Sequence, residues 1–330
     1  SVSVLKDAAS AAIYGARAAN GVILVTTKNG QKGKMQLSYH VNTAWQQATV
    51  LPELVTSSVE YMEMYNQMAD RVAGKRKYSE EYIDLYRDPN RNKLLYPDYD
   101  WVNETFKTGF SHNHSVTASG GSDNVLYNIN FSYLNQEGIL PGHGYERFTG
   151  RSNVEAQVHE RVKIGAKVSF FNGNVEAPAY QNDGYLLLLI QQRPMYMPYL
   201  PDGSGKYTYN DLPINQGGEN PNRNPIYIAN KTHSNTEKWR WDAQAYLNVD
   251  FLKKENMSLS WNSKIALSYS DSFNKRLEPN DGEGYYYHPL ETGEDYTLGS
   301  NFNPEQSGVK DSYSKGKQLT LFTTFDYNVN

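Results

Sequence analysis

The sequence of 330 residues predicts an all-β protein, a transmembrane antiparallel β-barrel preceded by a short α/β segment. Three observations carry that prediction. Apolar and polar residues alternate with period two through about eight segments, the signature of strands with two unlike faces. Most of these segments run for ten or more residues, whereas globular strands average ~5–6 and a tilted membrane-crossing strand needs ~9–11. The connections alternate between short and long. In an antiparallel meander this puts tight turns on one rim and long loops on the other.

Ser1 to Tyr14 reads as a short helix with small residues at Ala8, Ala9, Ala11 and Ala12, stopped by Gly15 in the position after the last turn. Val22 to Thr27 reads as a short buried strand, and Lys28 to Gly33 as a polar, Gly-containing linker. This divides the chain into residues 1–33 and 34–330. The strands then follow as Met35–Trp45, Ser111–Gly120, Val125–Tyr133, Val154–Val158 (with Arg151 and Asn153 in phase before it), Val162–Phe170, Trp239–Phe251, Met257–Tyr269 and Leu319–Val329. The clearest is Trp239 to Phe251, where Trp239, Trp241, Ala243, Ala245, Leu247, Val249 and Phe251 alternate with Arg240, Asp242, Gln244, Tyr246, Asn248 and Asp250. Tight turns are expected at Gly121–Asp123, His159–Glu160 and Lys253–Asn256, a medium connection at Gly138–Gly144, and long loops over about 46–110, 173–235 and 271–315.

A soluble β-sandwich alternates in the same way, with its apolar side turned inward. Strand length, rim asymmetry and aromatics such as Trp239 and Trp241 near a long-loop end favour the barrel. In that reading the apolar phase faces lipid and the charged phase, including Arg151, Glu155, Lys163, Lys167, Arg240 and Asp242, faces a wet lumen. Mean hydropathy is −0.71, and the longest apolar block, Leu186 to Ile190, falls far short of the ~18 residues a transmembrane helix needs. Neither fact bears on a barrel, because half of each strand faces water.

The chain has no Cys, which excludes disulfides and thiolate metal sites. A net charge of −4 with mixed signs points away from nucleic acid. Gly15 and Gly21 flank a helix-to-strand connection. A phosphate loop needs strand, Gly-rich loop and helix, ending in Gly-Lys-Ser/Thr. His112 and His114 share a strand face but lack a third ligand nearby, so they read as interfacial residues rather than a metal site. No local Ser/His/Asp set occurs, and Glu80–Glu81 reads as a solvated helix face; no cofactor is indicated. Leu54, Val59, Met62, Tyr65 and Met68 have helical spacing within Leu51 to Asp70, in the first long loop. Of the 27 tyrosines, Tyr207, Tyr209, Tyr227 and Tyr285 to Tyr287 stand among Asn, Asp and Gly in the later loops. They suit capture of sugars or peptides, or packing of loop on loop.

Two stretches carry a family resemblance. "VLKDAASAAIYGARAANGVILVTTKNGQKGK", Val4 to Lys34, resembles the end of the plug domain in SusC/RagA-type TonB-dependent outer-membrane transporters. "DYDWVNETFKTGFSHNHSVTASGGSDNVLYNINFSYLNQEGIL", Asp98 to Leu140, with "YERFTGRSNVEAQV", Tyr145 to Val158, is similar to the family's early barrel strands. The resemblance implies about 22 strands around a plugged lumen, of which this chain holds the C-terminal part of the plug and roughly the first eight strands. It also implies a location in the outer membrane of a Gram-negative bacterium, in contact with its lipids. The implied partners are a SusD-like lipoprotein lid and the TonB complex, and the implied cargo is an oligosaccharide or peptide. The expected substrate contacts are Tyr207, Tyr209, Tyr285, Tyr286, Tyr287, Arg151, Glu155, Arg240 and Asp242. The expected plug-to-barrel contacts are Lys6, Asp7, Tyr14, Arg17 and Asn20. Alternatives are a lidless receptor for a metal chelate, a structural barrel or adhesin, and a secreted sugar-binding sandwich.

Overall fold

Eight strands of this chain form one antiparallel meander in which each is hydrogen-bonded to its neighbour along the sequence: β3 (Gly33–Gln46), β4 (Gly109–Gly121), β5 (Val125–Glu137), β6 (Gly144–His159), β7 (Val162–Ala177), β9 (His233–Lys254), β10 (Met257–Glu278) and β13 (Gly308–Val329). The structure is a computed structural model that describes residues 2–6, 21–25, 28–72, 74–179, 182–200, 203–209, 224–254, 257–278, 284–289, 296–300 and 308–329. Two small sheets accompany the meander. β1 (Val2–Leu5) pairs antiparallel with β2 (Val22–Val25). β11 (Gly284–Pro289) pairs with β12 (Tyr296–Ser300) and, in parallel, with β8 (Tyr207–Tyr209).

The register sorts the side chains of the large sheet onto two faces. Leu37, Ala118, Ile129, Ser152, Val168, Ala243, Leu267 and Leu319 stand opposite one another across successive strands. All belong to the apolar phase. Leu37, Val168, Leu267 and Leu319 among them are exposed, Leu37 at 68% and Leu319 at 60%. Along β9 this face runs from Trp241 to Phe251, ten residue steps of ~3.3 Å. Tilted at ~40°, that length spans the ~25 Å apolar band of an outer-membrane barrel. Aromatic residues edge the band: Phe170 lies 4.9 Å from Trp241 and Tyr133 4.6 Å from Phe148 on the long-loop side. Trp261 stacks on Phe325 at 6.3 Å toward the tight turns. Above the band the same face turns polar, with Glu237, Asp271, Lys275 and Lys315. No described helix is long and apolar enough to cross a membrane.

Tight turns join β4 to β5, β6 to β7 and β9 to β10, as the alternation predicts. In the first, the Ser122 hydroxyl accepts from the backbone N–H groups of Asn124 (3.2 Å) and Val125 (3.1 Å), so a local side-chain bond closes the reversal.

Several elements differ from the sequence reading. Val2–Leu5 is a strand, because its valines find a long-range partner in Val22–Val25 that outweighs the helical tendency of the alanines after it. Residues 7–20 lie outside the described residues. β6 starts at Gly144, ten residues before the expected Val154. β9, β10 and β13 reach 22 residues each, which reduces the expected 271–315 loop to 279–307. The added lengths, Asp271–Glu278 and Gly308–Lys317, are mostly polar on both faces. Beyond the membrane both faces meet water, and no alternation marks the strand.

The buried apolar core lies in the long loops. The helix Ser58–Arg71 is capped by Ser57, whose hydroxyl accepts from the Glu60 N–H at 3.3 Å. It buries Met62 against Ile83 and Tyr86 of the helix Glu80–Arg87, and against Met195 of the β7–β9 loop. Arg87 ties the two helices on the surface through Glu63 (2.5 Å), Glu80 (2.6 Å) and Asp84 (2.7 Å). Trp101 and Val102, in the short helix Trp101–Thr105, pack with Leu189 of the helix Asn182–Ile190, and the Trp101 indole N–H donates to the Arg193 carbonyl at 3.1 Å. Tyr185, Leu188, Tyr227 and Ile228 form a third cluster with the helix Pro225–Lys231. Burial pushes the Tyr99 hydroxyl up to about 12.

Two outcomes follow for the full-length protein. Leu247→Arg, near the middle of the apolar band, should cost about 2–4 kcal/mol in a reversible folding titration into lipid vesicles, while Asn248→Arg on the opposite face should cost little. Met62→Ala removes a fully buried side chain and should cost the loop unit about 2–5 kcal/mol. It should be read as faster amide hydrogen exchange over residues 58–105 with the strands unchanged.

Candidate functional site: the polar barrel wall and the loops above it

The polar face of the meander is a continuous hydrogen-bonding surface. Asn130 Nδ2 donates to the hydroxyls of Ser115 (3.0 Å) and Thr117 (2.8 Å), Ser132 donates to Asn113 (2.9 Å), and Gln136 donates to Gln46 (3.0 Å). Charges concentrate on β6, β7 and β9. Lys163 pairs with Glu155 at 3.1 Å, and the Tyr246 hydroxyl donates to the same carboxylate at 2.6 Å. Tyr246 lies across Gly165, where an added Cβ would meet the ring at 2.2 Å. Lys167 stands over that ring, its Nζ 5.9 Å from the centroid. One row further toward the long loops, the Arg240 guanidinium donates to both Asp242 oxygens at 2.9 and 3.1 Å, and Ser169 donates to Asp242 at 3.5 Å.

A concavity of about 350 Å³ opens on this wall, lined among others by Arg151, Asn153, Lys167, Arg240, Asp242 and Gln244. Of the residues expected to touch substrate, Arg151, Arg240 and Asp242 therefore come together here. Glu155 lies one strand position away toward the tight turns, held by Lys163 and Tyr246.

The segment before β3 crosses the same face. Asn153, only 4% exposed, donates to the Lys28 carbonyl at 2.8 Å, and Gly30 sits so close to the Tyr127 backbone that a Cβ would approach it at 2.4 Å. Lys32 then pairs with Asp123 in the first tight turn at 2.8 Å, and that hydrogen bond holds the Asp123 carboxyl below the usual range. Of the expected plug contacts, Lys6 is exposed, and Asp7, Tyr14, Arg17 and Asn20 lie outside the described residues.

In the loops, Tyr207 is half-buried. It packs on Tyr199 at 5.2 Å and Tyr227 at 5.3 Å, and its hydroxyl accepts from Asn230 at 3.2 Å. Its ring thus takes part in loop packing. The parallel pairing of β8 with β11 sets Thr208 against Tyr285 and Tyr209 against Tyr286, so the two tyrosine runs named as substrate contacts share one small sheet. His112 and His114 lie on the outer face in an aromatic cluster: their rings are 5.2 Å apart, His112 is 5.8 Å from Tyr133, and Tyr39 is hydrogen-bonded to His114 at 2.7 Å. No group of three metal-ligating side chains occurs among the described residues.

Sequence reasoning placed Asn153 and Tyr246 in the polar phase without their contacts, and passed over Gly165. Two signals were there: an aromatic residue in the polar phase, and a glycine within a strand interior, which marks a close approach.

No protein-family model matches the chain. Relatives do. TonB-dependent receptor P26 of Formosa agariphila is 30% identical over 243 residues, covering 71% of this chain and 22% of that protein. TonB-dependent receptor P3 of the same organism is 37% identical over 169 residues, covering 51% and 15%. TonB-dependent receptor SusC of Bacteroides thetaiotaomicron is 31% identical over 198 residues, covering 59% and 18%. The RagAB peptide importer, in a structure of its open-open state, matches the fold with a TM-score of 0.64 at 18% identity, over 99% of this chain and 44% of that one.

The chain belongs to the SusC/RagA family of TonB-dependent receptors. It spans less than a quarter of the length of these three TonB-dependent receptors. The meander is accordingly a sector of a SusC/RagA barrel, with its apolar face outward and its hydrogen-bonded polar face toward the lumen. Gly165→Ala tests the wall. The methyl group would displace Tyr246 from Glu155 at a cost of about 1–3 kcal/mol. The ring's release should appear as a shift in the Tyr246 resonance of selectively labelled protein, which Val168→Ala on the outer face should not produce.

Proposed function

We propose that this chain is part of a TonB-dependent importer of the outer membrane, in which residues 1–33 are the end of the plug and residues 34–330 the first part of the barrel. The substrate is an oligosaccharide or a peptide, taken up with a SusD-like lipoprotein acting as an extracellular lid. Transport proceeds by binding and gated passage, without covalent chemistry.

The observation that carries this reading is the course of the segment before β3. It lies on the polar face, bonded to Asn153 through the Lys28 carbonyl and anchored at the tight-turn rim by Lys32 and Asp123. A chain entering a barrel wall from inside its lumen takes such a path, and an adhesin acting through its loops alone has no need of it. The names of the relatives, TonB-dependent receptors and SusC, support import. The RagAB likeness supports the fold.

In a gated importer the wall residues Arg151, Glu155, Arg240 and Asp242 contact cargo as it passes the plug. Tyr209 and Tyr285 to Tyr287 contact cargo or lid at the mouth. The plug residues Lys6, Asp7, Tyr14, Arg17 and Asn20 hold plug to wall, since charged groups in that interface need partners.

The test is extraction of the full-length protein from its native outer membrane in detergent. A lipoprotein co-purifying in equal amount is the expected result. Recovery from the membrane fraction without a lipoprotein would favour a lidless receptor, and recovery in the soluble fraction would overturn the importer.

A further inference from the structure

We infer that the cargo passing this wall is an anionic oligosaccharide, one bearing carboxylate or sulfate groups. The inference rests on the importer reading. The chain as a whole is acidic, at −4, yet the polar face of β6, β7, β9 and β10 is cationic. Lys163 and Arg240 are matched by Glu155 and Asp242. Further cations on that face include Arg147, Arg151, Lys167, Lys238 and Lys264, set against the carboxylate of Asp250 near the tight turns. None of the five has a carboxylate within ion-pair distance among the described residues. Arg147 and Lys238 stand in one cross-strand row through Gly173, on the long-loop side of the concavity, and Arg151 and Lys167 line the concavity itself.

Like charges gathered on a concave wall raise the energy of the empty site and the local concentration of a counter-ion. The linker that crosses the wall does not relieve this. It brings its own Lys28 and Lys32, and the latter is already paired with Asp123. Arg151 offers a planar fork suited to a carboxylate or sulfate, and Lys167 a point charge held over Tyr246. Between the cations stand Ser169, Ser268, Gln244 and Gln318, whose hydroxyl and amide groups match sugar hydroxyls. The Tyr246 ring lies against Gly165, with the Lys167 ammonium 5.9 Å from its centroid, which leaves little aromatic surface here for stacking a neutral sugar. This hydroxyl-and-cation surface, poor in apolar pockets, favours a charged saccharide over an acidic peptide.

The experiment is a calorimetric titration of the full-length protein in detergent with a galacturonic acid hexamer, a glucose hexamer and a glutamate hexapeptide. The galacturonate should bind at least ~tenfold more tightly than the glucose oligomer. That advantage should shrink as salt is raised, because these exposed charges are screened. The pair of changes Arg151→Gln and Lys167→Gln should reduce the ratio of the two affinities at least ~fivefold. The salt dependence of the unaltered protein stands as an independent check should that variant not assemble. Equal affinity for the acidic and neutral hexamers, or a ratio insensitive to both salt and substitution, would overturn the inference. Tighter binding of the glutamate peptide would overturn the assignment to a saccharide. Uptake of the neutral hexamer by cells that depends on this protein, together with equal affinities, would sink the anionic cargo and leave the importer intact. A protein recovered in the soluble fraction would sink the importer itself.

Discussion

Backbone amides and carbonyls in hydrocarbon have no water to bond, so a sheet that crosses a membrane must satisfy each group from a neighbouring strand. The remaining features of this chain follow from that constraint. The meander is antiparallel throughout, so that each strand pairs with the next along the chain, whether a tight turn or a loop joins them, and the ladders between them are filled. The period of two then forces unlike faces. Leu37, Ile129, Val168 and Leu267 go out to lipid because they share a phase, and Asn130, Arg151, Asp242 and Gln318 go in because they hold the other. A slip of one residue in any strand would turn its polar phase into lipid, so the apolar band itself fixes the register.

The rims obey different physics. On the side of the tight turns little chain is available, and local bonds such as those of Ser122 suffice. On the other side the strands rise past the upper aromatic residues into water, where both faces can be polar and the ladders alone hold them together. The loops there are long enough to bury a core of their own. Met62, Tyr86, Trp101, Leu189 and Tyr185 are as buried as side chains in any soluble domain, although the barrel itself buries little within this sector. The protein thus combines a membrane wall stabilised by lipid and hydrogen bonds with a loop unit stabilised by ordinary apolar packing.

In the proposed importer the polar wall joins structure to transport. Its side chains are held by cross-strand partners, and the chain segment that leads into β3 lies on it through backbone contacts at Lys28 and Gly30. A lumen segment attached by a carbonyl–amide bond and a glycine contact is held without a large apolar interface. Such an attachment suits the pulled plug of the proposed importer.

Much of this was legible in the sequence, and the reason is the period of two. Wherever one face meets lipid and the other water, as in Trp239 to Phe251, the alternation fixes strand, face and rim order together. The tight turns were legible too, since each is short, polar and bounded by strong strands. The sequence did not disclose the upper reaches of β10 and β13, where water on both sides erases the pattern, nor the strand at Val2–Leu5, whose identity depends on a partner twenty residues away. Only the tertiary structure decided which polar-phase residues meet. The placing of Tyr246 over Gly165, Asn153 on the linker, and Tyr209 beside Tyr286 depends on register between strands and loops distant in the chain, and nothing in the local order of residues encodes it.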